Sequence, residues 1–179
     1  MICPSCKKGP LRPTKLEESL PALSCTQCHG FLLSMLSYRM WVESNPNSVN
    51  QTHDHEIEEL NDSSKAMTCP KCQKFMSKYR ISGETLNKLD SCGNCGELWI
   101  DNGEWQLLQS LGLINKLSSI LSDPWQSNIR KQDHESSYES RYEKLLGEKE
   151  YSKIREFRDW LRKHKHIIEI KNYIARINR

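Results

Sequence analysis

Eight cysteines carry the most readable chemistry in this chain. They stand at Cys3, Cys6, Cys25 and Cys28, and again at Cys69, Cys72, Cys92 and Cys95. Each quartet reads C-x-x-C, a gap of 18 residues in the first and 19 in the second, then C-x-x-C, which is the paired-knuckle spacing of a zinc ribbon. A C-x-x-C pair in a tight turn aims two thiolates at one point. A second pair delivered by a hairpin completes a tetrahedron, so two Zn²⁺ per chain are expected. A redox reading would make each pair a thioredoxin-like dithiol, but two pairs per module and the lack of a surrounding βαβ pattern weigh against it. Four thiolates leave no coordination position for water or substrate, so no catalytic residue and no small-molecule substrate are expected at these sites.

Such sites suit a chain with little else to hold it together. Among its 179 residues 36% are hydrophobic and the mean hydropathy is −0.73, which disfavours one large continuous core. A structural zinc site contributes roughly 10–16 kcal/mol of apparent free energy in small domains and offsets that deficit. The start, Met1-Ile2-Cys3-Pro4, has no basic segment followed by an apolar stretch and cleavage site, so no secretory signal is expected. The longest apolar run, Phe31 to Leu36, is interrupted by Ser34 and falls far short of the ~20 residues of a membrane span. A cytoplasmic protein without membrane contact is expected, and cysteines in a reducing compartment favour metal over disulfides.

The second module contains an alternating segment with Phe75, Tyr79 and Ile81 on one side and Lys78 and Arg80 on the other, then a turn at Ser82-Gly83-Glu84. That predicts a hairpin between two knuckles. In the first module Pro10, Pro13 and Pro21 interrupt the apolar Leu11, Leu16, Leu20 and Leu23, which predicts a less regular hairpin. Asp101 followed by Glu104 reads as a capping box opening a helix, with Trp105, Leu107, Leu108, Leu111, Ile114, Leu117 and Leu121 as its apolar stripe, weakened by Gly112. Capping accounts for these two carboxylates better than catalysis, since no nucleophile or open metal position accompanies them. Leu36, Met40 and Trp41 predict a short helix after the first ribbon.

The run Cys92-Gly93-Asn94-Cys95-Gly96-Glu97-Leu98-Trp99-Ile100-Asp101-Asn102-Gly103-Glu104, with Cys69-Pro70-Lys71-Cys72, resembles the transcription-factor-IIB-type zinc-ribbon family of small bacterial proteins. Its pattern is C-P-x-C, C-x-x-C, a tryptophan, an aliphatic residue and D-x-G-E, and the match covers about Thr68 to Leu111. The resemblance implies that Cys69, Cys72, Cys92 and Cys95 are ligands of a transcription-related zinc domain, by analogy to a polymerase-docking ribbon. Glu97 departs from the family, which often has glycine there. The first module keeps its four cysteines and Gly30, but has Leu32 for the tryptophan, Ser34 for the aspartate, and Leu36 and Ser37 for the glycine and glutamate.

The stretch from Glu43 to Lys65 is polar and rich in Asn and Ser, a linker by composition, and its His53 and His55 read as solvated linker residues. Asp123-Pro124-Trp125-Gln126 predicts a second helix start, with aspartate as cap and proline at the first position. The formal charge is −2 over residues 1–68, 0 over 69–123 and +5 over 124–179. Overall it is +3 with neutral thiols; two Zn²⁺ add four charges and eight thiolates remove eight, leaving −1.

In the basic region Ile154, Phe157, Leu161, His164 and Ile168 recur at helical steps, continued by Ile167, Ile170, Ile174 and Ile177. Arg155, Arg158, Arg162, Lys163, Lys165 and Lys171 occupy much of the rest and are the candidate contacts to nucleic acid or a partner. Three readings compete: a helix packed on the ribbons, a self-association seam, and a basic helix for nucleic acid or RNA polymerase. His164 and His166, two residues apart, would face different sides of a helix. Tyr138, Tyr142 and Tyr151 read as packing residues, and no H-E-x-x-H, Walker loop or dinucleotide fingerprint occurs.

The expected fold class is α+β: two small zinc ribbons, each followed by a helix, plus C-terminal amphipathic helices. The expected divisions are 1–42 (first ribbon and helix), 43–66 (linker), 67–122 (second ribbon and helix) and 123–179 (basic helical region). The expected function is non-enzymatic and transcription-associated, binding nucleic acid or the transcription machinery. The alternative is an adaptor using ribbons and helices for protein contacts only.

Overall fold

A computed structural model describes residues 1–46 and 65–176. His53, His55, most of the expected linker and Ile177 lie outside the described residues. Two units are present, Met1–Lys131 and Gln132–Arg179. Among the described residues no helix is long and apolar enough to cross a membrane.

The first unit is mixed α and β around an antiparallel sheet. Strands β1 (Leu11–Glu17), β2 (Leu20–Cys25) and β3 (Phe31–Ser34) come from the first cysteine module, and β4 (Ser77–Arg80), β5 (Lys88–Ser91) and β6 (Glu97–Ile100) from the second. They join into one six-stranded sheet in the order β1-β2-β3-β6-β5-β4. The modules meet at β3 and β6, where Phe31, Leu32, Leu33 and Ser34 lie opposite Ile100, Trp99, Leu98 and Glu97. Positions 32 and 99 are the same place in the two repeats, four residues after Cys28 and Cys95. The register is therefore self-complementary about that pair, the pattern of a two-fold interface. Two modules treated separately in sequence share one sheet.

Period-two alternation sorts the side chains of β3 and β6 to two faces. Leu33, Leu98 and Ile100 face a core with Leu20, Ile81, Leu89 and the helices α1 (Met35–Ser44), α2 (Glu104–Ser110) and α3 (Leu117–Ile120). Leu32 and Trp99 face a second cluster with Leu11, Met67, Met76 and cysteines of both quartets. Helices cover one side and the cysteines the other.

Several local expectations change. The first hairpin is the less regular one, as expected, with its register shifting between Lys15 and Glu17 where β4–β5 has no shift, but it is also the longer, seven and six residues against four and four. Its Pro13 sits in an edge strand, where the missing N–H costs nothing, and Pro21 lies in β2 outside the residues that β3 pairs. Phe75 is exposed rather than inward, and in α1 the buried residues are Met35, Tyr38 and Trp41 while Leu36 and Met40 face outward. The stripe after β6 is not one helix. Gly112, at φ +63°, ends α2 with Leu113 N–H donating to Leu108 O (2.8 Å), and a 3₁₀ turn (Ile114–Lys116) precedes α3.

The capping box is only half formed. Glu104 Oε2 accepts from the Asp101 amide at 2.8 Å, but the Asp101 carboxylate takes the Trp99 indole N–H at 2.8 Å instead of a helix amide. Gly103, at φ +87°, turns the chain into α2. In α4 (Asp123–Leu146) it is Ser122 Oγ, not Asp123, that accepts the Trp125 amide (3.5 Å).

Contacts cross between the modules. The Tyr38 hydroxyl donates to Ile114 O (2.8 Å) and accepts from Leu117 N–H (3.1 Å), while Glu17 Oε1 receives the Trp105 indole and the Gln109 amide at 2.9 and 2.8 Å. Gln126 Oε1 accepts from Arg80 N–H, and its Nε2 donates to Arg80 O and Ile120 O. Its amide thus pairs with the outer edge of β4 as another strand would.

The second unit is helical. It holds the rest of α4, then α5 (Glu148–Arg162) and α6 (Ile167–Ile174). The expected continuous stripe breaks between α5 and α6, and His164 and His166 stand in that connection with rings 5.9 Å apart. Leu161 is buried, but Ile154, Phe157 and Ile168 are exposed.

Candidate metal centres

Each cysteine quartet closes into one cluster. Cys3, Cys6, Cys25 and Cys28 have Sγ atoms within 4.8 Å of one another, and so do Cys69, Cys72, Cys92 and Cys95. The closest approaches are 3.5 Å for Cys3–Cys28, 3.6 Å for Cys6–Cys25, 3.5 Å for Cys69–Cys95 and 3.4 Å for Cys72–Cys92. A disulfide would need about 2.05 Å, and all eight cysteines are free. A tetrahedron with metal–sulfur bonds of about 2.3 Å has edges of about 3.8 Å, so these quartets have the dimensions of four-thiolate metal sites.

All four knuckles use one turn, which the C-x-x-C spacing alone does not reveal. The residue after the second cysteine of each pair is left-handed: Lys7 (φ +59°), His29 (+59°), Gln73 (+61°) and Gly96 (+71°). The first cysteine of each pair then receives or gives the backbone bonds that close the loop. Cys3 N–H donates to Gly9 O and Cys25 N–H to Gly30 O, and Cys69 and Cys92 do the same to Lys74 O and Glu97 O. Amides also reach sulfur, from Cys6 N–H to Cys3 Sγ and from Gln27 N–H to Cys25 Sγ, both 3.4 Å.

The environments pull the thiols apart. The Lys8 amide brings Cys6 down to about 6, and the Lys74 amide brings Cys72 down to about 7. Burial pushes Cys3, Cys28 and Cys69 upward, and burial together with neighbouring thiols pushes Cys95 up to about 12. One sulfur in each quartet therefore ionises readily while buried neighbours resist. Four thiolates at this spacing need a cation among them.

Compared with known proteins, no family model matches the chain, and no curated protein and no solved structure matches it. The chemistry rests on the residues themselves.

Trp99 links the two centres. It is fully buried in the cluster that contains Cys3, Cys25, Cys69 and Cys92, and its ring lies over Gly30, where an added Cβ would come within 2.4 Å of Cζ2. The two-fold register maps Gly30 onto Glu97 and Trp99 onto Leu32. At the position matching Gly30 the second repeat carries a side chain, and Glu97 reaches Lys71 Nζ at 2.8 Å.

The six basic candidates do not form one free patch. Arg158 is held by Glu139 at 2.6 Å, and Arg162 lies 4.0 Å from Asp159. Arg155 lines a groove between α4 and α5 together with Glu135, Glu139, Glu143 and Tyr151. Lys163, Lys165 and Lys171 are exposed.

Proposed function

We propose that the chain is a zinc-binding, non-enzymatic module, associated with transcription, that acts by binding nucleic acid or the transcription machinery. The observation that carries the metal part is the pair of closed four-cysteine clusters, each at tetrahedral sulfur spacing. Zn²⁺ favours four thiolates in that geometry and supplies no open position for chemistry there, only cross-linking of the fold. A helix after each cysteine module, α1 and α2, supports reading the pair as tandem zinc ribbons. Its resemblance in the second module to transcription-factor-IIB-type ribbons supports the transcription reading. Exposed Lys7, Lys8, Lys74, Lys163, Lys165 and Lys171 supply cations for phosphate.

The test has two arms. Native mass spectrometry should find two Zn²⁺ per chain, and any other stoichiometry overturns the metal assignment. Binding to single- or double-stranded nucleic acid should weaken steeply with salt. An absence of binding at low salt overturns the nucleic-acid arm.

One observation favours the adaptor reading as second choice. Arg158 is committed to Glu139 and Arg162 faces Asp159, which leaves α5 fewer charges for phosphate than its composition promises. A stoichiometric protein partner recovered from nuclease-treated extract would support that reading.

A further inference from the structure

The outward face of α5 carries a stripe that neither the metal centres nor nucleic-acid binding uses. Lys149, Lys153, Phe157 and Trp160 follow one another at steps of four, four and three, which places them in one row over about 16 Å of α5, and His164, just past the end of the helix, continues the row through its ring contact with Trp160. Phe157 and Trp160 are 43% and 50% exposed. The Phe157 and Trp160 rings are 5.5 Å apart, and those of Trp160 and His164 4.8 Å. A half-exposed tryptophan in a continuous aromatic row marks a contact surface rather than scattered apolar exposure.

The order of residue types identifies the partner. One half of the stripe is cationic and the other aromatic, and the row is symmetric about Phe157 to within one residue. Laid antiparallel against itself, it sets Phe157 on Phe157, Lys153 on Trp160 and Lys149 on His164. Lysine over an indole face is a favourable cation–π contact, strengthened when the pair is shielded from water. Nucleic acid fits this face less well, because α5 holds five basic residues against four acidic ones. Arg158 already faces the Glu139 carboxylate in a part-buried pair, while Lys153 with Glu150 and Arg162 with Asp159 share only exposed, readily exchanged pairs.

We propose that α5 is a self-association seam, in which two copies of the chain pair antiparallel through Lys149, Lys153, Phe157, Trp160 and His164. The contact is one helix on one helix, smaller than the roughly 1,200 Å² of a standard interface, so the dimer is weak and concentration-dependent. The inference does not depend on nucleic-acid binding.

Sedimentation velocity of the full metal-loaded chain, from low micromolar to millimolar, tests it. The mass should rise from one chain towards two. Trp160→Glu and Lys153→Glu should each weaken dimerisation at least tenfold, while Lys163→Glu, outside the row, leaves it unchanged. Circular dichroism checks that the helices persist. If a glutamate variant loses helix, Phe157→Cys decides, since it should form a chain-to-chain disulfide faster than Arg155→Cys. A single-chain mass throughout, a dimer indifferent to Trp160→Glu, or equal cross-linking at both positions overturns the proposal. So does a monomer whose affinity for a single-stranded oligonucleotide falls with Trp160→Glu, since that would make the row a base-stacking platform.

Discussion

Leu32 and Trp99, one position in two repeats, lie directly opposite each other in the β3–β6 pair. They differ in size, and Gly30, two residues before Leu32, makes space for the indole, while the matching position of the second repeat carries Glu97. The two cysteine clusters thereby share one buried tryptophan.

Gly30→Ala should destabilise the first unit by about 1–3 kcal/mol, because the new methyl meets the indole and, at 3.1 Å, the Ile100 carbonyl oxygen. In a Trp99→Leu background the same change should cost far less. A double-mutant cycle in denaturant measures the coupling, and additive costs would contradict the contact.

Removing one metal centre should loosen the other. Cys92→Ser should leave one metal per chain, and a chromophoric chelator should extract it at least tenfold faster than from the wild type, since β5 and β6 no longer brace β3. An unchanged release rate would mean that the modules are energetically separate despite their shared sheet.

The knuckle turns predict an asymmetry between repeats. Gly96→Ala should cost about 1–2 kcal/mol through its left-handed φ alone, because nothing lies within 4 Å of the added methyl. His29→Gly, at the matching position, should be neutral or stabilise by up to about 1 kcal/mol, since relief of the strained φ is partly offset by glycine's freedom in the unfolded chain. Shifts in denaturant midpoint of the same sign and size would contradict this.

Gln126→Ala should cost about 2–3 kcal/mol by stranding the Arg80 amide and two carbonyls. Hydrogen exchange at the Arg80 amide should accelerate with it, and unchanged protection would show that water replaces the side chain without loss.

The Arg158 guanidinium holds the Glu139 carboxyl below its usual value of about 4.3. A depressed carboxylate stabilises the folded state above its unfolded value, and that stabilisation disappears as pH falls through the folded one. NMR titration should place Glu139 below its usual value, and Arg158→Gln should return it towards the ordinary range.

The grouping of the cysteines into two quartets was legible from spacing, because two C-x-x-C pairs leave few alternatives. Trp99, Ile100 and the D-x-G-E turn were legible as motif but not as contacts: that Asp101 would serve the indole rather than the helix depends on where β6 lies in the sheet. The joining of β3 to β6 was not legible, since each strand is only four residues long and its apolar faces suit any partner. The positive φ after each C-x-x-C had one sequence signal, Gly96; Lys7, His29 and Gln73 pay a strain that composition does not display. In the basic region, helical periodicity gave the stripe but not the break between α5 and α6, and charge counts could not tell that Arg158 had a partner.

The side-chain amide of Gln126 also bears on how the sheet's edges are guarded. A six-stranded antiparallel sheet ends in two rows of backbone groups that could recruit further chains into fibrils. On β4 the amide occupies both groups of Arg80, and on β1 Pro13, between Arg12 and Thr14, interrupts the row. Growth by strand addition is thus obstructed at both ends, which leaves helices as the surfaces through which copies can meet without polymerising.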